Sequence, residues 1–190
     1  MGFFDKLQKV FQHRPVEDLH TGLLGLGIDA KMAEHGRAEK YIECDRNDRS
    51  LGIIEILKGS ICWVNLIERR ALDQVTYHLK YGIRDPRLRG AMMKLAQLRI
   101  KSVRRRTFPL VGKAVDLHWK GNDLGLGIID RLNSDILIKH PIISSGDITI
   151  RAHGYEKLWV MSYRGVIVPS RELWNCYEAI AQHLLSQWPK

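Results

Sequence analysis

Short runs rich in Ile, Val and Trp, each closed by a turn signal, recur through this chain and limit what it can fold into. "LGIIEIL" (51–57) and "SICWVNLI" (60–67) meet at Lys58-Gly59, which predicts a hairpin. "GKAVDLHW" (112–119) alternates, with Val115, Leu117 and Trp119 on one face and Asp116 and His118 on the other. "LGLGIID" (124–130), "DILIK" (135–139), "DITIRA" (147–152), "KLWVMSY" (157–163) and "GVIVP" (165–169) are further strand candidates, with turns at Ser145-Gly146 and Arg164-Gly165. The last run leads into "PSRELWNCYEAIAQHLLSQW". There Ser170 suits an N-cap, and Leu173, Tyr177, Ile180, Leu184 and Trp188 form one helical stripe that should pack on a sheet. "ERRALDQVTYHLKYG" (68–82) reads as a further helix, with Leu72, Val75 and Leu79 on one side and Gly82 as its stop. The expected fold class is α+β: a largely antiparallel sheet, a few packed helices and a short N-terminal amphipathic arm.

The 190 residues suit an arm over 1–15 and a single α+β domain over 16–190. In the arm, Phe3, Phe4, Leu7, Val10 and Phe11 share about a third of the helical wheel, Lys6 and Lys9 flank them, and Pro15 ends the segment. Two readings stand: an arm docked on its own domain or a neighbour, and an interfacial membrane anchor. Gly2 suggests myristoylation, but Lys6 stands where that pattern needs Ser or Thr. No apolar run approaches the ~20 residues of a membrane span, and the N-terminal stretch does not read as a signal peptide. Cys44, Cys62 and Cys176 are odd in number and not at metal-ligand spacing, which fits a reducing compartment. The chain is therefore expected to be cytoplasmic, and peripheral at the inner face of a membrane if it meets one.

Catalytic and nucleotide motifs are largely missing. No H-E-x-x-H, C-x-x-C, P-loop or G-x-S-x-G is present, so neither a metal nor a cofactor is expected. Gly25, Gly27 and Ala30 have G-x-G-x-x-A spacing, but "EDLHTG" before them is a poor strand, and a dinucleotide turn needs one. That "LGLGI" and its second copy at 124–128 read as glycine-containing extended or turn segments. His118 beside Asp116 resembles a base with its orienting acid, but no nucleophile is placed near it, and a solvent-facing polar pair is the simpler reading.

The charge is concentrated. Net charge is +9, and from Arg84 to Arg106 nine basic residues (Arg84, Arg87, Arg89, Lys94, Arg99, Lys101, Arg104, Arg105 and Arg106) stand against Asp85 alone. Asp85 and Pro86 suit the start of a helix, on which Leu88, Ala91, Met92, Leu95 and Leu98 would be buried. Arg87, Lys94 and Lys101 would then stack on the opposite face, about 10.5 Å apart, with Arg104 and Arg105 close to the same line. A solvated helix face normally mixes signs; this one has no acid between Asp85 and Asp116, so it is expected to meet phosphates. No aromatic lies between Tyr81 and Phe108, which favours attraction to phosphate over reading of bases.

With the opening "MGFFDKLQKVF" and the closing "ITIRAHGYEKLWVMSYRGVIVPSRELW", the small, basic chain resembles the matrix proteins of rhabdoviruses over about a quarter of its length. It departs from them in having no P-P-x-Y; "YEKL" at 155–158 fits Y-x-x-L but falls in or beside a strand. The resemblance implies a structural protein of the virion that self-associates, coats the inner membrane face and condenses ribonucleoprotein, with no catalytic residues to carry over. The expected partners are an anionic membrane surface, RNA or ribonucleoprotein, and further copies of the chain. The alternative is an RNA-binding regulatory module such as a silencing suppressor, and an enzyme comes third.

Overall fold

The hairpin expected at Lys58-Gly59 is part of a much larger sheet. The computed structural model describes residues 15–34, 37–71, 74–88, 97–107, 114–164 and 168–187, so the arm lies outside the described residues except for Pro15, which opens a helix instead of ending one. Among the described residues there are eight strands: β1 (Ala30–Met32), β2 (Asp48–Ile56), β3 (Trp63–Ala71), β4 (Gln74–Arg84), β5 (Arg99–Arg106), β6 (Ala114–Asn122), β7 (Ile148–His153) and β8 (Leu158–Arg164). They form one sheet in the order β1-β2-β3-β4-β8-β7-β5-β6, with every neighbouring pair antiparallel. The helices are α1 (Pro15–Gly25), α2 (Ile128–Ser134), α3 (Ile136–Ser145) and α4 (Arg171–Leu185), and a 3-10 turn spans Ala38–Tyr41. The α+β class is borne out.

One face of the sheet carries the helices. Alternate residues point that way: Ile54 and Ile56, Val64 and Leu66, Leu79 and Tyr81, Trp159 and Met161, Ile148 and Ile150, Leu117 and Trp119. α4 lies on this face through Leu173, Tyr177, Ile180 and Leu184, each worth about 1.5–3 kcal/mol when fully buried. The Tyr177 ring packs 4.7 Å from Tyr81 and 5.7 Å from Tyr163, centroid to centroid. Ser170 caps α4 as expected, its hydroxyl accepting from the Leu173 amide at 3.1 Å.

Three expectations fail. Residues 68–82 are not helical but form the end of β3 and most of β4. Leu79, Tyr81 and Ile83 alternate inward, and that period of two prevails over the looser i, i+3, i+7 match. "LGLGIID" and "DILIK" are not strands but a turn running into α2, and α3. Buried Ile128 and Leu132, and Ile138 and Ile142, are each spaced by four, and the Asp135 carboxylate caps α3 by accepting from the Leu137 amide. The basic segment is no continuous helix: 85–88 is a turn and 99–106 is β5. The rejection of a dinucleotide turn at Gly25, Gly27 and Ala30 agrees with the structure, where the chain runs from a helix into a strand, α1 to β1, the reverse of what a pyrophosphate site needs.

β6 is an edge strand. The side-chain amide of Asn133 in α2 donates to the Trp119 carbonyl at 3.0 Å and accepts from the Trp119 amide at 2.7 Å. The neighbouring Leu117 amide is taken by the Asp116 carboxylate at 2.8 Å.

Candidate functional site

The sheet face opposite the helices is divided in two. Over β2, β3, β4 and β8 the segment 37–47 lies as a cover. Ile42 packs there on Ile53, Trp63, Leu158 and Val160. Trp63 lies over Gly82, its direct cross-strand partner, where a Cβ would come within 1.9 Å of the indole. Lys80 is buried below the cover and donates from Nζ to the carbonyls of Glu43 (2.6 Å) and Ile42 (3.3 Å), so backbone dipoles rather than a contacting carboxylate hold its charge.

Three cations in or beside this cover are paired. Arg37 bonds both Glu39 and Glu55, Lys31 meets Glu55 at 2.8 Å, and Arg69 grips Asp48 at 2.6 Å and Asp45 at 2.6 Å. Burial alone would raise the Asp48 carboxyl, but the bonds from Arg69 and the Asp45 amide bring it below the usual range.

Over β5, β6 and β7 no described segment lies as a cover, apart from the Glu43 side chain at the edge of β7. Directly paired antiparallel residues share a face, so the register defines rows across it. Lys101 stands between Lys120 and Thr149, and Arg99 between Asn122 and Arg151. Arg105, opposite Asp116, extends the line along β5, and Arg164 lies on the same face of β8 opposite His78. Neighbours across strands are about 5 Å apart, and i, i+2 residues along a strand about 6.8 Å apart. Arg99, Lys101, Arg105, Lys120 and Arg164 are exposed and form no ion pair with a carboxylate among the described residues. The histidine beside Arg164 feels this field: burial first, then the charges of Arg69 and Arg164, push His78 below its ordinary value.

The nine cations expected to act together are therefore dispersed. Arg99, Lys101 and Arg105 share the bare face. Arg104 points to the helix side, where its Nε meets Asp147 at 2.8 Å. Arg106 is exposed beyond a bulge at the end of β5, and Arg84 is exposed at the end of β4. Arg87 is structural: it clasps Asp85 at 2.8 Å from both Nε and Nη2, and donates to the Leu184 and Ser186 carbonyls at the end of α4. Arg89 and Lys94 lie outside the described residues, as do Phe3, Phe4, Leu7, Val10 and Phe11.

Three cations of the bare face come from outside the run: Lys120, Arg151 and Arg164. Their signal was alternation, since Arg151 interleaves with inward Ile148, Ile150 and Ala152, and Lys120 continues the outward set of Asp116 and His118.

Burial raises the Cys44 and Cys62 thiols and pushes Cys176 up to about 12, which keeps them protonated at neutral pH. Among the described residues no three His, Cys, Asp or Glu side chains are grouped to hold a metal, and no helix is long and apolar enough to cross a membrane. The chain matches no family model, no curated protein and no solved structure.

Proposed function

We propose that this chain is a non-enzymatic structural protein that binds the phosphate backbone of RNA, as in ribonucleoprotein, along the bare half of its sheet. The observation that carries the reading is the cross-strand group Arg99, Lys101, Lys120 and Arg151 on one exposed face. Its line along β5, about 6.8 Å between alternate residues, suits a linear polymer of phosphates. No exposed aromatic stands among these rungs to stack a base, so attraction is to phosphate and indifferent to sequence. Neighbouring copies repel through the same charges until a polyanion neutralises them, so assembly follows binding, as a matrix-type protein requires. A second reading, an anionic membrane surface, is favoured by the amphipathic arm sequence, Phe3 to Phe11.

The test is fluorescence anisotropy with a labelled single-stranded RNA across a salt series, using the wild-type chain and Arg99→Glu/Lys101→Glu/Lys120→Glu. Log affinity should fall linearly with log salt, and the variant should lose about 2 from the magnitude of that slope. Unchanged binding by the variant, or affinity indifferent to salt, sinks the reading. Vesicles containing phosphatidylserine form the second arm. Binding there that needs residues 1–15, with none to RNA, moves the conclusion to the membrane. Sedimentation velocity with and without RNA reads the assembly.

A further inference from the structure

The Glu43 carboxylate reaches from the cover into the edge of the basic face. Glu43 has φ +58°, the left-handed region that a non-glycine residue adopts only when its surroundings hold it there. Lys80 supplies that hold by fixing the carbonyls of residues 42 and 43. The carboxylate is thereby laid across β7 and β8. Its Oε1 accepts from His153 Nε2 at 3.1 Å and lies 3.5 Å from Arg151 Nε, while its Oε2 accepts from the Ser162 hydroxyl at 3.0 Å. The side chain is 10% exposed, whereas Arg151 beside it is 45% exposed.

Guanidinium, imidazole and hydroxyl converging on two oxygens is also a donor set for a phosphoryl group. This set is continuous with the basic face. Ser162 pairs with Thr149, Thr149 with Lys101 and Lys101 with Lys120, while Arg151 pairs with Arg99. We infer that Arg151, His153 and Ser162 form the terminal phosphate subsite of the face, and that Glu43 is a tethered counter-anion filling it until a phosphate displaces it. This rests on the phosphate-binding reading above. It adds that the free chain is partly self-neutralised, and that lifting the segment around Glu43 lengthens the face by one anion position.

Glu43→Gln keeps the shape and the bond from Ser162 but removes the charge. It should bind single-stranded RNA several-fold more tightly at low salt, with a slope steeper by about 0.7, one added phosphate contact. Adding Arg151→Ala should cancel the gain. If Glu43→Gln binds with wild-type affinity and slope, Glu43 is only a structural bond and the inference is overturned. Inorganic pyrophosphate separates this from failure of the RNA reading. Even if RNA binds neither chain, pyrophosphate should raise the thermal midpoint of Glu43→Gln more than that of wild type, and an equal response overturns the subsite. Should Glu43→Gln not fold, the imidazole resonances of His153 in the wild-type chain decide. They should move as pyrophosphate is added, and resonances that stay fixed at saturation overturn the inference.

Discussion

The two halves of the sheet face opposite the helices share one alternation but not their strands, β2, β3, β4 and β8 under the cover and β5, β6 and β7 in the open, and they treat charge differently. Under the cover, Arg37, Lys31 and Arg69 each meet a carboxylate, and Lys80 is wrapped in carbonyl oxygens. On the bare side, Arg99, Lys101, Arg105 and Lys120 are exposed and have no such partner among the described residues. Lys80, the cation buried beneath the cover, is satisfied within the chain by two carbonyls, because a buried charge without partners is costly. Residues left in water need no pairing, and their charge remains available to something else. Position relative to the cover, more than the number of cations, separates the structural from the available.

Four measurements can break or sharpen this contrast, in falling order of their effect on stability. Trp63→Ala empties the buried centre of the covered half, 1% exposed. It should cost about 3–5 kcal/mol in denaturant unfolding and leave RNA affinity unchanged; a change in affinity per folded molecule would mean that the halves are coupled. Lys80→Met strips the Ile42 and Glu43 carbonyls of their donor, at about 1–3 kcal/mol. A neutral result there would show that the cover stays in place without the ammonium.

The third measurement is a pH series on the seam. Burial alone would raise Glu43, but the bond and charge of His153, then Arg151 and Ser162, bring it net below the usual carboxylate value. A depressed folded value means stability that is present above the unfolded pKa of about 4.3 and lost as pH falls through the folded value. Wild type should therefore lose more stability than Glu43→Gln between about pH 4.3 and the onset of acid unfolding; parallel curves would show that the seam bonds add nothing. Last, Arg99→Glu/Lys101→Glu/Lys120→Glu alters only exposed side chains, and its unfolding free energy should stay within about 0.5 kcal/mol per substitution of wild type. A larger loss would show that the bare cations help hold the sheet.

Much of the sheet was legible because alternation and turn residues agree at 51–67, 114–119 and 147–163, and α4 was legible from both its stripe and its Ser170 cap. The helical reading of the basic run followed a spacing of seven from Arg87 to Lys101. It passed over Leu98, Ile100 and Ser102, which alternate with Arg99, Lys101 and Val103 and place half of β5 inward. The isoleucines of 124–145 argued for strands by propensity; tertiary burial at spacings of four made them helical. The candidate face was legible only in part, through Arg99, Lys101 and Arg105. Lys120, Arg151 and Arg164 join it through strand order, and β5 pairing with β7 across an intervening pair of helices has no local signature.

Asn133 has a consequence for how copies of this chain can come together. An exposed strand edge is an invitation for a second chain to add itself and continue the ladder without limit. At β6 a side-chain amide already answers both the N–H and the C=O of Trp119, and the Asp116 carboxylate answers Leu117. At the other end of the sheet, β1 is three residues long and His20 Nε2 sits 3.1 Å from the Ala30 carbonyl. An incoming strand would have to evict these groups before gaining a bond of its own. At these positions the sheet is closed from within, so a strand added at either edge would lose the bonds that such a ladder normally gains there.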